Sequence, residues 1–106
     1  MRGPRCHRLV GAATLAAGEV RRVSVDEREF VLVHDGDAYF LLDGRCSHKP
    51  EALLAEGLLF RGTIVCPWHG FRYDLATGRN VHPGNARALG RVAFRIDGDD
   101  LLLELT

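Results

Sequence analysis

The chain has 106 residues, of which 46% are hydrophobic and 26% charged; this bounds it to one small globular domain, residues 1–106, and excludes a disordered or collagen-like polymer. Lys plus Arg number 14 and Asp plus Glu number 14, so the basic footprint of a generic nucleic-acid binder is missing. No apolar run approaches the roughly 20 residues that cross a bilayer as a helix, and a chain of this size has no room for a large substrate pocket with lid elements.

At the N-terminus Arg2, Arg5 and Arg8 precede the apolar residues 9–17 in the manner of a secretory leader. Gly11 and Thr14 interrupt that stretch, so it is read as part of the fold. Cys6 is expected in a first strand as a small buried or half-exposed thiol. His7 and His34 read as strand or surface histidines. Residues 19–25, with Val20, Val23 and Val25, predict a strand, and residues 29–34 predict a second. Asp35 and Gly36 signal a tight turn into a partner strand over residues 38–42. The C-terminus repeats the arrangement. Residues 91–96 alternate arginine with Val92, Phe94 and Ile96, Asp97 to Asp100 read as a solvated turn, and residues 101–105 return. Period-two alternation with closely spaced turns predicts an all-β, antiparallel domain.

The middle, residues 44–84, differs. It holds six of the 12 glycines, three of the 4 prolines, three of the 5 histidines and two of the 3 cysteines. Short strands are expected over residues 63–65 and 71–74, and Gly57 limits residues 51–59 to one helical turn. The expected organisation is a β-sandwich base from both chain ends (1–43 and 85–106) with a loop-rich subdomain (44–84) inserted between them.

That insert carries the chemistry. Cys46-x-His48 is followed by 17 residues and then Cys66-x-x-His69. Pro50, Pro67 and Gly70 put both pairs in turns, each presenting one soft thiolate and one imidazole. Two such turns face to face suit a Cys₂His₂ zinc site or a 2Fe–2S cluster with two Cys on one iron and two His on the other. Structural zinc sites of this composition pair Cys with Cys and His with His locally; here each local pair is mixed, which lets each loop reach both irons. An odd cysteine count argues against a disulfide framework and for a reducing, cytoplasmic setting. Cys6 has no spaced partner and is not a candidate ligand.

Cys46-Ser47-His48 and Cys66-Pro67-Trp68-His69-Gly70 resemble the two cluster loops of Rieske proteins. The likeness extends to residues 53–57 after the first loop, to residues 71–78 after the second, and to Val81, His82, Pro83 and Gly84, which resemble the family's third, shielding loop. The resemblance covers essentially the whole chain. It implies a Rieske fold, and one 2Fe–2S cluster held by Cys46, His48, Cys66 and His69, with the histidine-bound iron at the exposed end. Two ferric ions, two sulfides and two thiolates sum to zero charge, against minus two with four thiolates. An electron therefore enters more readily, and the class spans about −150 to +300 mV. High-potential relatives carry a loop disulfide where Glu51 and Trp68 stand here. They also place a serine where this chain has Phe71, and a sulfur-directed tyrosine where it keeps Tyr73. The resemblance thus implies a potential low in the range.

The function implied is a soluble, monomeric Rieske ferredoxin, a one-electron carrier without turnover of its own. Its partners would be a reductase and a terminal oxygenase of the aromatic-ring-hydroxylating type, met transiently. A small subunit of a nitrite-reductase-like complex and a zinc-stabilised interaction module are the alternatives. No Gly-rich dinucleotide fingerprint follows a strand. Trp68 is expected to pack, and His82 to be a plain loop histidine or a contact near the site.

Overall fold

The computed structural model of the chain describes residues 5–105; Arg2 of the leader-like stretch lies outside them. The strands among these are β1 (Arg5–Leu9), β2 (Val20–Val25), β3 (Arg28–Asp35), β4 (Ala38–Asp43), β5 (Leu58–Phe60), β6 (Thr63–Val65), β7 (Arg72–Asp74), β8 (Asn80–His82), β9 (Phe94–Asp97) and β10 (Asp100–Leu105). Two short 3-10 turns lie at Ala12–Thr14 and Leu54–Glu56. The domain is all-β, as expected, and its ladders are antiparallel. They form three sheets, ordered β1-β10-β9, β2-β3-β4 and β5-β6-β7-β8. No helix among the described residues is long and apolar enough to cross a membrane.

The β2-β3-β4 sheet lies between two cores. Phe30, Leu32 and Leu41 point one way, into a core with Val23, Val25, Leu101, Leu103 and Leu105 from β2 and β10. Val31, Val33 and Leu42 point the other way, against Leu54, Ile64, Tyr73, Leu75 and Leu89. Alternate side chains of a strand face opposite sides. An unbroken apolar run such as Phe30 to Val33 is therefore what a strand buried on both faces requires. Each such side chain, removed from water, contributes about 1.5–3 kcal/mol.

Tight two-residue connections set the registers. Gly36-Asp37 joins β3 to β4, with Asp35 opposite Ala38, and Gly98-Asp99 joins β9 to β10, with Asp97 opposite Asp100. Asp26-Glu27 makes the same kind of connection between β2 and β3 at φ 50° and 66°. No Gly signals that turn, so the sequence leaves it unmarked. The Asp97–Asp100 turn is more than solvated: Arg8 of β1 donates to Asp97 and Asp100 at 2.9 and 2.8 Å, and the Gly11 N–H donates to Asp100. Those contacts, led by the Gly11 N–H, hold the Asp100 carboxyl below the usual range.

Two expected elements are corrected. The run at 91–96 is a regular strand only from Phe94, because it changes partners along its length. Arg91 bridges Leu42, and the Val92 N–H donates to the Leu41 carbonyl of β4, whereas the Ala93 carbonyl accepts from Glu104 of β10. Within 51–59 the single helical turn is present at Leu54–Glu56, but residues 58–60 continue as β5, which pairs with β6.

Residues 85–90 return across the insert. The Leu89 N–H donates to the Gly78 carbonyl at 2.8 Å, and Leu89 is buried. Gly78 has φ +81°, and a Cβ there would lie 2.2 Å from the Leu89 carbonyl oxygen. Gly36 has φ +63° with open space around it. Gly36→Ala is therefore expected to cost about 1–2 kcal/mol of backbone strain alone, and Gly78→Ala roughly 2–5 kcal/mol, because strain and forced displacement add. Thermal unfolding of the two variants checks this; equal losses would show that the Leu89 contact does not constrain the fold.

Candidate metal centre

The first loop leaves β4 at Gly44, where the chain presses on β3; a Cβ at Gly44 would stand 2.8–2.9 Å from the Phe30 backbone. The loop then closes on itself. The Cys46 N–H donates to the Ala52 carbonyl, the Ala52 N–H to Lys49 and the Leu54 N–H to Gly44, while Arg45 caps the Pro50 carbonyl at 3.0 Å. The second loop is the β6–β7 connection. The Cys66 N–H donates to the Phe71 carbonyl at 2.7 Å, and His69 and Gly70 turn the chain at φ 63° and 69°. A histidine in the left-handed region is held there against its own preference, as is common at functional sites.

These loops bring the four sequence-selected side chains to one end of the molecule, in two layers. Cys46 and Cys66 are each 1% exposed, and each thiol influences the ionisation of the other. His48 and His69 are exposed, with ring centroids 5.3 Å apart, edge to face. His48 also stacks on Phe71 at 3.9 Å.

The two thiols differ electrostatically. Burial pushes the Cys66 thiol up to about 11, although the Trp68 N–H donates to its sulfur at 3.4 Å. Burial also pushes Cys46 upward, but there the Tyr73 hydroxyl, the Lys49 N–H, Cys66 and the His48 N–H outweigh it. The Cys46 thiol ends below its ordinary value. Tyr73 is raised to about 12, by burial first and by Cys46 second. Its ring is fully buried, and its hydroxyl lies 3.3 Å from Cys46 Sγ and 2.9 Å from Ser47 Oγ.

Of the other residues singled out from the sequence, His7 and His34 are strand histidines, as expected, in β1 and β3. Trp68, expected to pack, is only partly covered, at 42% exposed, while its backbone N–H donates to Cys66 Sγ. His82 lies exposed at the end of β8. His34 is tied into the base, where its Nδ1–H donates to the Leu15 carbonyl at 2.6 Å and its ring stacks on Tyr39. His7, half-buried in β1, faces Asp26 at 3.5 Å. Cys6 is on β1, exposed and remote from the other thiols. Two residues of the site carry no sequence signal. Ser47 lies between two ligands and reads as filler. Asn80, buried, ties the third loop: its amide donates to the Arg72 and His82 carbonyls, and its oxygen accepts from Gly84 and Ala86.

The donor set suits two irons. Two soft thiols sit together in a dry layer and two imidazoles together in a wet one. Thiolates buried beside N–H and O–H donors, with imidazoles outside them, match a centre divided between two sulfur and two nitrogen ligands.

Comparison with known proteins agrees. Apoptosis-inducing factor 3 of Mus musculus is 36% identical over 64 residues, 60% of this chain, and the chain spans only 10% of that relative's length. The ferredoxin component of the naphthalene 1,2-dioxygenase system of Pseudomonas aeruginosa is 27% identical over 89 residues, 84% of this chain and 85% of that one. The solved ferredoxin of carbazole 1,9a-dioxygenase from Nocardioides aromaticivorans IC177 superimposes with a TM-score of 0.85 at 26% identity, covering 99% of this chain and 100% of that one. A sequence profile described as the Rieske [2Fe-2S] domain matches residues 6–93. With that match over most of the chain, on an all-β fold whose paired thiols and paired imidazoles suit a 2Fe–2S centre, the chain belongs to the Rieske [2Fe-2S] domain family.

Proposed function

We propose that the chain is a one-electron carrier whose 2Fe–2S cluster is held by Cys46 and Cys66 on one iron and by His48 and His69 on the other. It takes its electron from a reductase and passes it to a terminal oxygenase of the aromatic-ring-hydroxylating type. The observation that carries this reading is the layering of the donors, with both thiols 1% exposed and both imidazoles at the surface. When bound, such a cluster supplies storage of one electron through a change of valence at one iron.

The chain's own residues do the rest. Cys46 and Cys66 must lose their protons to ligate, and the donors around Cys46 already favour its thiolate. Leu54, fully buried, and Phe71 pack in one core with both thiols, so water is kept from the sulfur side. His48 and His69 face outward, which brings the electron to the surface where a partner can approach. Phe71 braces the His48 ring from one side. Exposed Lys49 and Trp68 stand beside those histidines; a cation and an aromatic face are what a small, transient electron-transfer contact uses. Two relatives matched over most of both chains are ferredoxin components of dioxygenases, which supports an electron-transfer component over an enzyme acting alone. A division into a base (1–43 and 85–106) and a cluster-binding subdomain (44–84) belongs to the same proposal.

Cys66→Ser should bleach the visible spectrum and abolish the low-average-g EPR signal of the reduced protein, while Cys6→Ser leaves both intact. A full, native-like cluster in Cys66→Ser would sink the ligand assignment. Lys49→Glu should slow reduction by the cognate reductase by several-fold to about tenfold at low salt and flatten its salt dependence. Unchanged rates in both Lys49→Glu and Trp68→Ala would place docking on another surface. Protein-film voltammetry should find the potential in the lower part of the range of about −150 to +300 mV, since Phe71 offers no donor and Glu51 and Trp68 form no bridge. A value near +300 mV would contradict that reasoning.

A further inference from the structure

Ser47 separates the two first-loop ligands, and its hydroxyl has two neighbours. The Arg87 carbonyl oxygen lies 2.5 Å away and the Tyr73 hydroxyl 2.9 Å away. A carbonyl has no hydrogen to give, so the single proton of Ser47 goes to Arg87. Across the second contact Tyr73 must therefore be the donor. Tyr73 also has one proton, and Cys46 Sγ lies 3.3 Å from the same oxygen. A sulfur that ligates iron is deprotonated and only accepts. Ser47 Oγ and Cys46 Sγ are thus rivals for one hydrogen. Tyr73 is 0% and Cys46 1% exposed, so solvent is not at hand to supply a second donor to the sulfur.

We propose that Ser47 is a positioning residue that lowers the reduction potential by drawing the Tyr73 proton away from the Cys46 sulfur. The direction follows from charge. A donor at a ligating sulfur stabilises the reduced, more negative state, so a donor shared with a neighbouring oxygen stabilises it less. The acceptor that orients Ser47 is supplied from far along the chain. Arg87 lies in the segment that Leu89 pins to Gly78 through a 2.8 Å backbone bond, so its carbonyl is held over the first loop. This inference rests on the reading that Cys46 is a thiolate ligand of the cluster, and the test separates the two.

The experiment is protein-film voltammetry on the loaded wild type, Ser47→Ala, Tyr73→Phe and the double variant, after visible and EPR spectra of each. Ser47→Ala should raise the potential, by about threefold in the reduction equilibrium, or about 30 mV at 59 mV per tenfold. Tyr73→Phe should lower it, and in the Tyr73→Phe background Ser47→Ala should have no effect. Ser47→Thr, which keeps the hydroxyl, should retain the wild-type value. A purely structural role for Ser47 predicts the same shift whether or not the phenol is present, and that result, or a potential that stays put or falls in Ser47→Ala, would overturn the inference. Should Ser47→Ala fail to take up the cluster, Ser47→Gly serves in its place; failure of both would make Ser47 an assembly residue and overturn the tuning role. A wild type that lacks the Rieske spectrum would instead defeat the ligand reading itself.

Discussion

Everything in this protein leans on one thin sheet that is buried from both sides. In β3, Phe30 and Leu32 enter the base core, and Val31 and Val33 enter the core beneath the cluster loops. Leu41 and Leu42 divide the same way in β4. A shift of one residue in the pairing of these strands would exchange every side chain between the cores. The Asp26-Glu27 and Gly36-Asp37 turns therefore do more than reverse the chain: they fix which face meets the segment that carries the Cys and His pairs. Gly44, pressed against the Phe30 backbone, then starts the first loop from a point that cannot drift relative to that sheet.

The loops that carry Cys46 and Cys66 lie between strands, so their precision comes from backbone closure and from buried polar tethers. The first loop is tied by Cys46, Ala52 and Leu54 amides and the second by the Cys66 amide. Asn80 satisfies four backbone groups, the Arg72 carbonyl of β7 and groups of His82, Gly84 and Ala86 in and just after the third loop. A buried amide side chain is costly unless its hydrogen bonds are made. Asn80 makes them, and so holds the third loop in one conformation. The result is a site with a dry sulfur side and a wet nitrogen side, which is the polarity an electron carrier needs. The buried thiols share a low-dielectric layer, and the imidazoles stand where a partner can reach them.

Within that site, single hydrogens carry weight. The pair of thiols is unequal, with Cys66 raised to about 11 and Cys46 lowered, because several donors converge on Cys46, whereas Cys66 has the Trp68 N–H against its burial. Tyr73 is one of those donors, and its proton is also claimed by Ser47. A family-level comparison of loop sequences sees a tyrosine that is kept and a serine that is replaced by Phe71. It does not see that the tyrosine has a second acceptor within reach, because that acceptor is oriented by a carbonyl 40 residues downstream in the sequence.

Much of this was legible in the residues alone. Alternating valines, the Asp-Gly turns and the unbroken run at 30–33 specify an antiparallel β domain, because strand period and turn chemistry are local properties. The two mixed Cys and His pairs also declare themselves locally, since a ligand pair in a turn needs only its own spacing. Contacts between distant segments were not legible. Asp26-Glu27 forms a tight turn without glycine because the flanking strands impose it. The run at 91–96 changes sheets midway because β4 and β10 both offer it an edge. Trp68 stays partly exposed while its backbone N–H donates to Cys66 Sγ. Arg8 finds Asp97 and Asp100 only once β1 lies beside β10. Residue type and spacing alone set which atoms could meet a metal and which faces would be apolar. Which donors reach each thiol, and which oxygen competes for the Tyr73 proton, emerged in three dimensions alone, because hydrogen-bond direction depends on segments far apart along the chain.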